Sequence, residues 1–175
     1  MNIKNKDNQP VAEMAEAIID KPSWYNHFQE DDIRLISANP QIQKIRLSEL
    51  KQRGMQLEKT LAKIPYIPLT ALFNAKGEAN KALFAQIPNA SIIEIVRPNW
   101  DLQNKIGTHL NVSHLGFAFR KNNKLYFRQA SSEYNQVVEV PLEDYLRKCM
   151  ESPTIKGINV EIILPKKPLQ EGCVV

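Results

Sequence analysis

Histidine is the residue type in this sequence best suited to acid–base chemistry near neutral pH, and three are present. His114 lies in the run VSHLGF, where strand alternation puts it on the same face as Val112 and Gly116. A glycine beside a histidine leaves room for another group to approach. Spacing alone nevertheless favours a histidine hydrogen-bonded to neighbouring backbone over a catalytic base.

A predicted β-hairpin supplies a partner for this histidine. Two alternating segments flank the turn at Asn122 and Asn123, and counting back from the turn puts His114 opposite Ser131 and diagonally opposite Gln129. The Gln129 amide oxygen can accept the imidazole Nδ1–H, which would leave Nε2 free to act as a base. That is the orienting arrangement of a cysteine–histidine–amide site, and an ordinary polar pair on a sheet face is the alternative.

A resemblance to a known family lies in the run IGTHLNVSHLGFAFRKNNKLYFRQASS, followed by VVEVPLEDYL. These segments resemble the core of the NlpC-type cell-wall cysteine peptidases, and most closely their N-acetylmuramoyl-L-alanine amidase-like bacterial branch. The segments IPYIPLTALF and IIEIVRP also fit that branch, so the resemblance covers roughly residues 60–165. It implies a papain-like fold, in which a cysteine opens a helix packed on the sheet and a strand histidine activates it.

The resemblance also implies roles for individual residues. His114 matches the base, and Gln129 matches the position that orients it, where this branch often has histidine and the wider superfamily accepts asparagine or glutamine. Ser131 and Ser132 match the small polar residues that follow, and with Ser113 they are the candidate substrate-binding residues. The implied substrate is peptidoglycan or a muropeptide fragment, cut at an amide bond in or next to the stem peptide, with no metal or organic cofactor.

The cysteines depart from the family pattern, because the expected nucleophile precedes the histidine and residues 1–113 contain no cysteine. Cys149 shares a helical stripe with apolar residues and is predicted to be a buried core residue. Cys173 lies near the C-terminus and is predicted to be an exposed free thiol. Two interpretations stay open: a chain that begins downstream of the family's usual start, or a short homologue that binds a muropeptide or a protein without cutting it.

Composition and charge limit the partners and the location. Lysine and arginine total 23 and aspartate and glutamate 19, and this net charge of +4 is too small to predict nucleic-acid binding. No segment approaches the roughly 20 apolar residues of a membrane span, and the polar start MNIKNKDNQP lacks the apolar run of a signal peptide. The sequence as printed predicts a cytoplasmic chain, whereas the family implies the periplasm or cell envelope. The two agree only if the start is truncated.

The elements that position these residues predict one α+β domain over residues 1–175, with an antiparallel sheet and helices packed on it. Residues 1–64 are predicted to be mainly helical, with one helix opened by Pro10 and ended by Pro22 and a second beginning at Ser48. Residues 65–165 form the sheet-containing core and 166–175 a tail. Within the core, the predicted strands are 91–97, 112–120, 125–130, 136–140 and 157–164, and the predicted helices are 78–86 and 142–150.

Overall fold

The structure is a computed structural model and describes residues 3–33 and 37–165. In chain order, its elements are β1 (Glu13–Ile19), α1 (Lys21–His27), α2 (Glu30–Ile33), α3 (Pro40–Met55), β2 (Thr60–Pro68), α4 (Leu69–Leu72), α5 (Lys81–Gln86), β3 (Ser91–Leu102), α6 (Gln103–Ile106), β4 (Thr108–Lys121), β5 (Lys124–Ser131), β6 (Gln136–Pro141), α7 (Leu142–Cys149) and β7 (Gly157–Ile162). Within the described ranges the strands form a sheet in the order β1-β2-β7-β3-β4-β5-β6, and neighbouring strands are antiparallel. The predicted combination of helices with an antiparallel sheet is confirmed.

The N-terminal region is not mainly helical as predicted, because a strand occupies the place of its first helix. Glu13–Ile19 forms β1 and pairs with β2 along its whole length. Ala15 and Ala17 are buried, whereas Met14 and Ile18, whose spacing of four residues would place them on one face of a helix, are 55% and 56% exposed. Burial alternates because successive side chains of a strand point to opposite faces. Pairing with β2 therefore outweighs the helix propensity of the run EMAEAII.

The helices of this region also begin elsewhere than the sequence predicts. Pro22, expected to end a helix, lies in the first turn of α1, which the Asp20 side chain caps. The second helix, α3, begins at Pro40 rather than Ser48, and its cap is the side chain of Asn39. Proline is favoured in a first turn because the N–H groups there have no acceptor within the helix.

The β4–β5 hairpin has the predicted turn and register. Asn122 and Asn123 form the turn with φ of 47° and 62°, in the left-handed region that a two-residue hairpin turn requires and asparagine tolerates. Phe117 pairs with Arg128, and the register is continuous from that pair to the turn. The strands that carry the candidate site are therefore the ones the sequence predicted.

The main core lies on one face of the sheet, where α4, α5 and α7 cover it. Its buried side chains come from these helices and from the central strands, and include Leu72, Phe84, Leu142, Leu146, Ile93, Ile95, Phe127 and Ile158. On the opposite face of β4, Leu115 and Phe117 are 55% and 50% exposed. Because side chains alternate along a strand, His114 and Gly116 face the core side.

Candidate functional site

His114 lies on β4 at a point where the strand is irregular. It pairs with Ile95 of β3, while Val112 pairs with Val96, so Ser113 is an extra residue that forms a β-bulge. Ser113 is half-buried, and its Oγ donates to the Ile95 carbonyl over 3.4 Å. Of the predicted substrate-binding serines, Ser113 is thus engaged with the backbone of β3.

The side chains of His114 and Gln129 are hydrogen-bonded to each other, as the hairpin register predicted. The nitrogen that contacts the Gln129 Oε1 is Nε2, so the prediction that Nδ1 makes this bond is wrong. Donation from Nε2–H to the amide oxygen fixes one tautomer and leaves the imidazole lone pair on Nδ1. No residue in the described ranges hydrogen-bonds to Nδ1. The nitrogen available as a base is therefore Nδ1.

Two aromatic rings support the imidazole of His114. The Phe127 ring centroid lies 6.1 Å from it in an edge-on arrangement, and that of Tyr145, on α7, lies 6.4 Å from it. Phe127 is fully buried, and its ring lies 4.8 Å from that of Tyr145. Gly116 makes the arrangement possible, because a Cβ there would lie 2.5 Å from Phe127 Cε2. Since the core fixes both rings, the imidazole is restrained before any ligand binds.

The other two predicted serines lie at the end of β5. Ser131 follows Gln129 by two residues, so alternation puts it on the same face, and its Oγ accepts from the Tyr134 backbone N–H over 3.3 Å. Ser132 is exposed in the turn that leads to β6. The regular pairing of β4 with β5 ends at Phe117 and Arg128, before it reaches His114. The predicted pairing of His114 with Ser131 therefore lies beyond the hydrogen-bonded part of the hairpin.

Cys149 is buried at the end of α7, as predicted, with 8% of its surface exposed. Burial raises the pKa of its thiol to about 11, and the nearby positive charge of Arg97 opposes that shift only in part. The neutral thiol that results near pH 7 is a poor nucleophile. No hydrogen bond joins its sulfur to His114. The predicted exposure of Cys173 falls outside the described residues.

Arg97 is a residue of this neighbourhood that the sequence did not single out. It follows Val96, where β3 bulges away from β4, and its guanidinium carbon lies 4.7 Å from the centroid of the Trp100 ring. Its Nε is buried and has no hydrogen-bond partner in the part of the chain that the structure describes. A single arginine within a strand has no local sequence signal, because only its three-dimensional neighbours distinguish it from a surface charge.

A half-buried histidine oriented by a neighbouring amide is an arrangement suited to general-base catalysis in a hydrolase. A family model described as N-acetylmuramoyl-L-alanine amidase-like matches residues 3–155, so the chain belongs to that family. No curated protein sequence matches the chain.

The chain is similar to several solved structures, with different sequence identities and TM-scores. A crystal structure of a protein from Legionella pneumophila is 56% identical, with a TM-score of 0.84, and the match covers 94% of this chain and 55% of that one. Two crystal structures of an N-acetylmuramoyl-L-alanine amidase from Bacteroides uniformis are 27% and 25% identical, with TM-scores of 0.39 and 0.38. Those matches cover 66% and 74% of this chain and 41% and 47% of the amidase chain. The chain thus spans about half the length of these relatives.

None of the described helices is both long enough and apolar enough to cross a membrane.

Proposed function

We propose that this chain binds peptidoglycan stem peptides at the His114–Gln129 pair, and that His114 is the base of a cysteine–histidine amidase centre. The observation that carries the proposal is the hydrogen bond from His114 Nε2 to Gln129 Oε1, which leaves Nδ1 as the basic nitrogen. Membership of the amidase-like family supplies the substrate class. The order of the elements, with the base on one strand and its polar partner on the next, supports the papain-like assignment.

The reaction of such a centre needs both a thiol and the histidine. The histidine takes the proton of the thiol, the thiolate attacks the amide carbonyl carbon, and the amine leaves with that proton as the acyl-enzyme forms. Water then attacks the acyl-enzyme, again with the histidine as base, and releases the acid and the thiol. In this chain, His114 can perform the proton transfers, and Gln129 can hold the imidazole in one tautomer while they occur.

Among the residues that the structure describes, Cys149 carries the only thiol, and it is not hydrogen-bonded to this base. Cys149 is buried, its pKa is raised to about 11, and Tyr145 rather than Cys149 contacts the imidazole. Without covalent catalysis, a site of this kind loses on the order of a millionfold in rate. We therefore infer that this chain alone binds muropeptides without cleaving them, and that amide hydrolysis belongs to a protein that also supplies the thiol. Its substrate places such a protein in the cell envelope.

The test combines a digest with a binding measurement. The wild-type chain, His114→Ala, Gln129→Ala and the control His27→Ala are incubated with disaccharide-tripeptide muropeptides, and products are sought by mass spectrometry. We expect no product from any of them. In calorimetric titrations, we expect His114→Ala to bind about 2- to 10-fold more weakly, as for the loss of one hydrogen bond, and His27→Ala to bind like the wild type. Cleavage by the wild type that disappears in His114→Ala would refute the inference of an inactive chain, and absence of binding would refute the proposed site.

A further inference from the structure

We propose that Arg97 binds a carboxylate of the stem peptide and makes the site selective for an anionic ligand. This inference rests on the function proposed above and adds a specificity-determining residue to it. It follows from where Arg97 lies, from what it does not contact, and from the neutral groups around it.

The register of the sheet puts Arg97 beside the histidine. Ile95 pairs directly with His114, and β3 pairs regularly with β7 as far as Val96. Arg97 follows the last of these pairs and lies two residues after Ile95, so their Cα atoms are at most about 7 Å apart. The same neighbourhood is reached through α7, because the charge of Arg97 acts on Cys149 while Tyr145, one turn earlier, lies against the imidazole.

The guanidinium has no anionic partner in the described residues. No ion pair or hydrogen bond involves it there, and its buried Nε–H lacks an acceptor. Cys149, on which the charge of Arg97 acts, and Tyr145, one turn earlier on α7, supply no anion, because a thiol and a phenol are protonated at neutral pH and burial raises their pKa values further, to about 11 and about 12. The two Nη groups are neither fully buried nor hydrogen-bonded within the described residues, so these donors are free to bind a ligand carboxylate, while the buried Nε–H is closed to it.

The chemistry of the guanidinium favours a carboxylate. Its planar donors match the two oxygens of a carboxylate, and charge-assisted hydrogen bonds of this kind are stronger than neutral ones. The contact with Trp100 restrains the plane of Arg97, so less conformational freedom is lost when the ligand binds. Stem peptides carry free carboxylates, whereas amidation of those groups removes the charge and one acceptor oxygen from each.

The experiment compares two probes that differ only in these groups. Isothermal titration measures the Kd of N-acetylmuramoyl-L-alanyl-D-glutamate and of the same compound with both glutamate carboxylates amidated. The wild-type chain should bind the carboxylate form at least 10-fold more tightly, and added salt should reduce that ratio. Arg97→Gln should bring the two affinities together, Arg97→Lys should leave an intermediate ratio, and Arg53→Gln, which removes a charge from the exposed surface of α3, should keep the wild-type ratio.

The titrations distinguish failure of the Arg97 selectivity from failure of muropeptide binding itself. If the wild type binds both probes equally, or if Arg97→Gln keeps the full ratio, Arg97 does not select the carboxylate, although muropeptide binding stands. If neither probe binds, the proposed function and the selectivity both fail. Circular dichroism of Arg97→Gln and Arg97→Lys shows whether a changed ratio comes from a folded protein, and the Arg97→Lys ratio carries the test if only that variant folds.

Discussion

Substitution of Gly116 by alanine should destabilise the protein and disturb the imidazole, because no space exists for a methyl group at this position. A Cβ there would lie 2.5 Å from Phe127 Cε2, 2.6 Å from the Arg128 carbonyl oxygen and 2.7 Å from Phe127 Cζ. Favourable carbon contacts lie near 3.5–4.0 Å, so either the ring or the β5 backbone must move by about 1 Å. The Phe127 ring cannot easily retreat, since it is fully buried and packs on Tyr145.

The expected cost of Gly116→Ala is that of overpacking a core, about 1–3 kcal/mol. For a chain of this length, such a cost lowers Tm by roughly 2–12 °C. Urea unfolding measures the cost directly, and the NMR shifts of the His114 ring report its displacement. A decrease in the free energy of unfolding of less than about 0.5 kcal/mol would show that β4 and β5 can move apart to accommodate the methyl group. In that case Gly116 is not required for the packing of the site.

A second substitution tests whether the clash with the Phe127 ring causes the destabilisation by Gly116→Ala. Phe127→Leu removes the two ring atoms that the new methyl group would meet, while the Arg128 carbonyl oxygen stays in place. Gly116→Ala should therefore cost at least about 1 kcal/mol less in the Phe127→Leu background than in the wild type. Equal costs in the two backgrounds would mean that the clash with the ring is not the cause.

Four further predictions concern Cys149, Arg120 and Asn111. In a Cys173→Ser background, Cys149 should react with a thiol reagent far more slowly in native protein at pH 8 than in urea. The pKa of this thiol rises from 9.0 to about 11 on folding, so the unfolded chain loses the proton first as the pH is raised. The free energy of unfolding should therefore fall by up to about 2–3 kcal/mol between pH 9 and 11. The fall should be smaller in Cys149→Ala. Arg120→Met should cost about 2 kcal/mol in urea unfolding, because the guanidinium donates to carbonyls at the end of α5 at 2.9 Å; an unchanged midpoint would contradict this. Asn111→Ala should lower Tm by roughly 4–10 °C, because this buried side chain donates to the Ala62 carbonyl and accepts from a backbone N–H of the β3 bulge; a Tm within 1 °C of the wild type would refute it.

The parts of the fold that sequence predicts well are those fixed by neighbouring residues. The β4–β5 hairpin needs only alternation and a turn at Asn122 and Asn123, both of which are local. The segment Glu13–Ile19 is different, because its residues favour a helix and only pairing with β2, more than 40 positions away, makes it a strand. Its buried Ala15 and Ala17 alternate, but a period-two pattern made of alanine is too weak to identify a strand.

The candidate site likewise combines a contact that the sequence predicts with features that only the folded chain shows. The contact between His114 and Gln129 follows from hairpin register, which is why counting positions from the turn found it. Which imidazole nitrogen makes the bond depends on ring rotation, and one of the rings that restrict that rotation is Tyr145, which belongs to α7 and lies outside the hairpin. Arg97 is distinguished only by a missing partner, a property of the folded chain that no spacing of residues reveals.

The way His114 is held bears on what a missing thiol would do to the site. Its imidazole is fixed by Gln129, Phe127 and Tyr145, and none of these contacts involves a cysteine. Removal of a thiol from such a centre therefore abolishes acyl-enzyme formation while it leaves the orientation of the base unchanged. A site that keeps its geometry without the nucleophile is what the proposed binding function requires. Restoring catalysis to it would need a thiol placed within hydrogen-bond reach of Nδ1, rather than any change in the histidine or its partners.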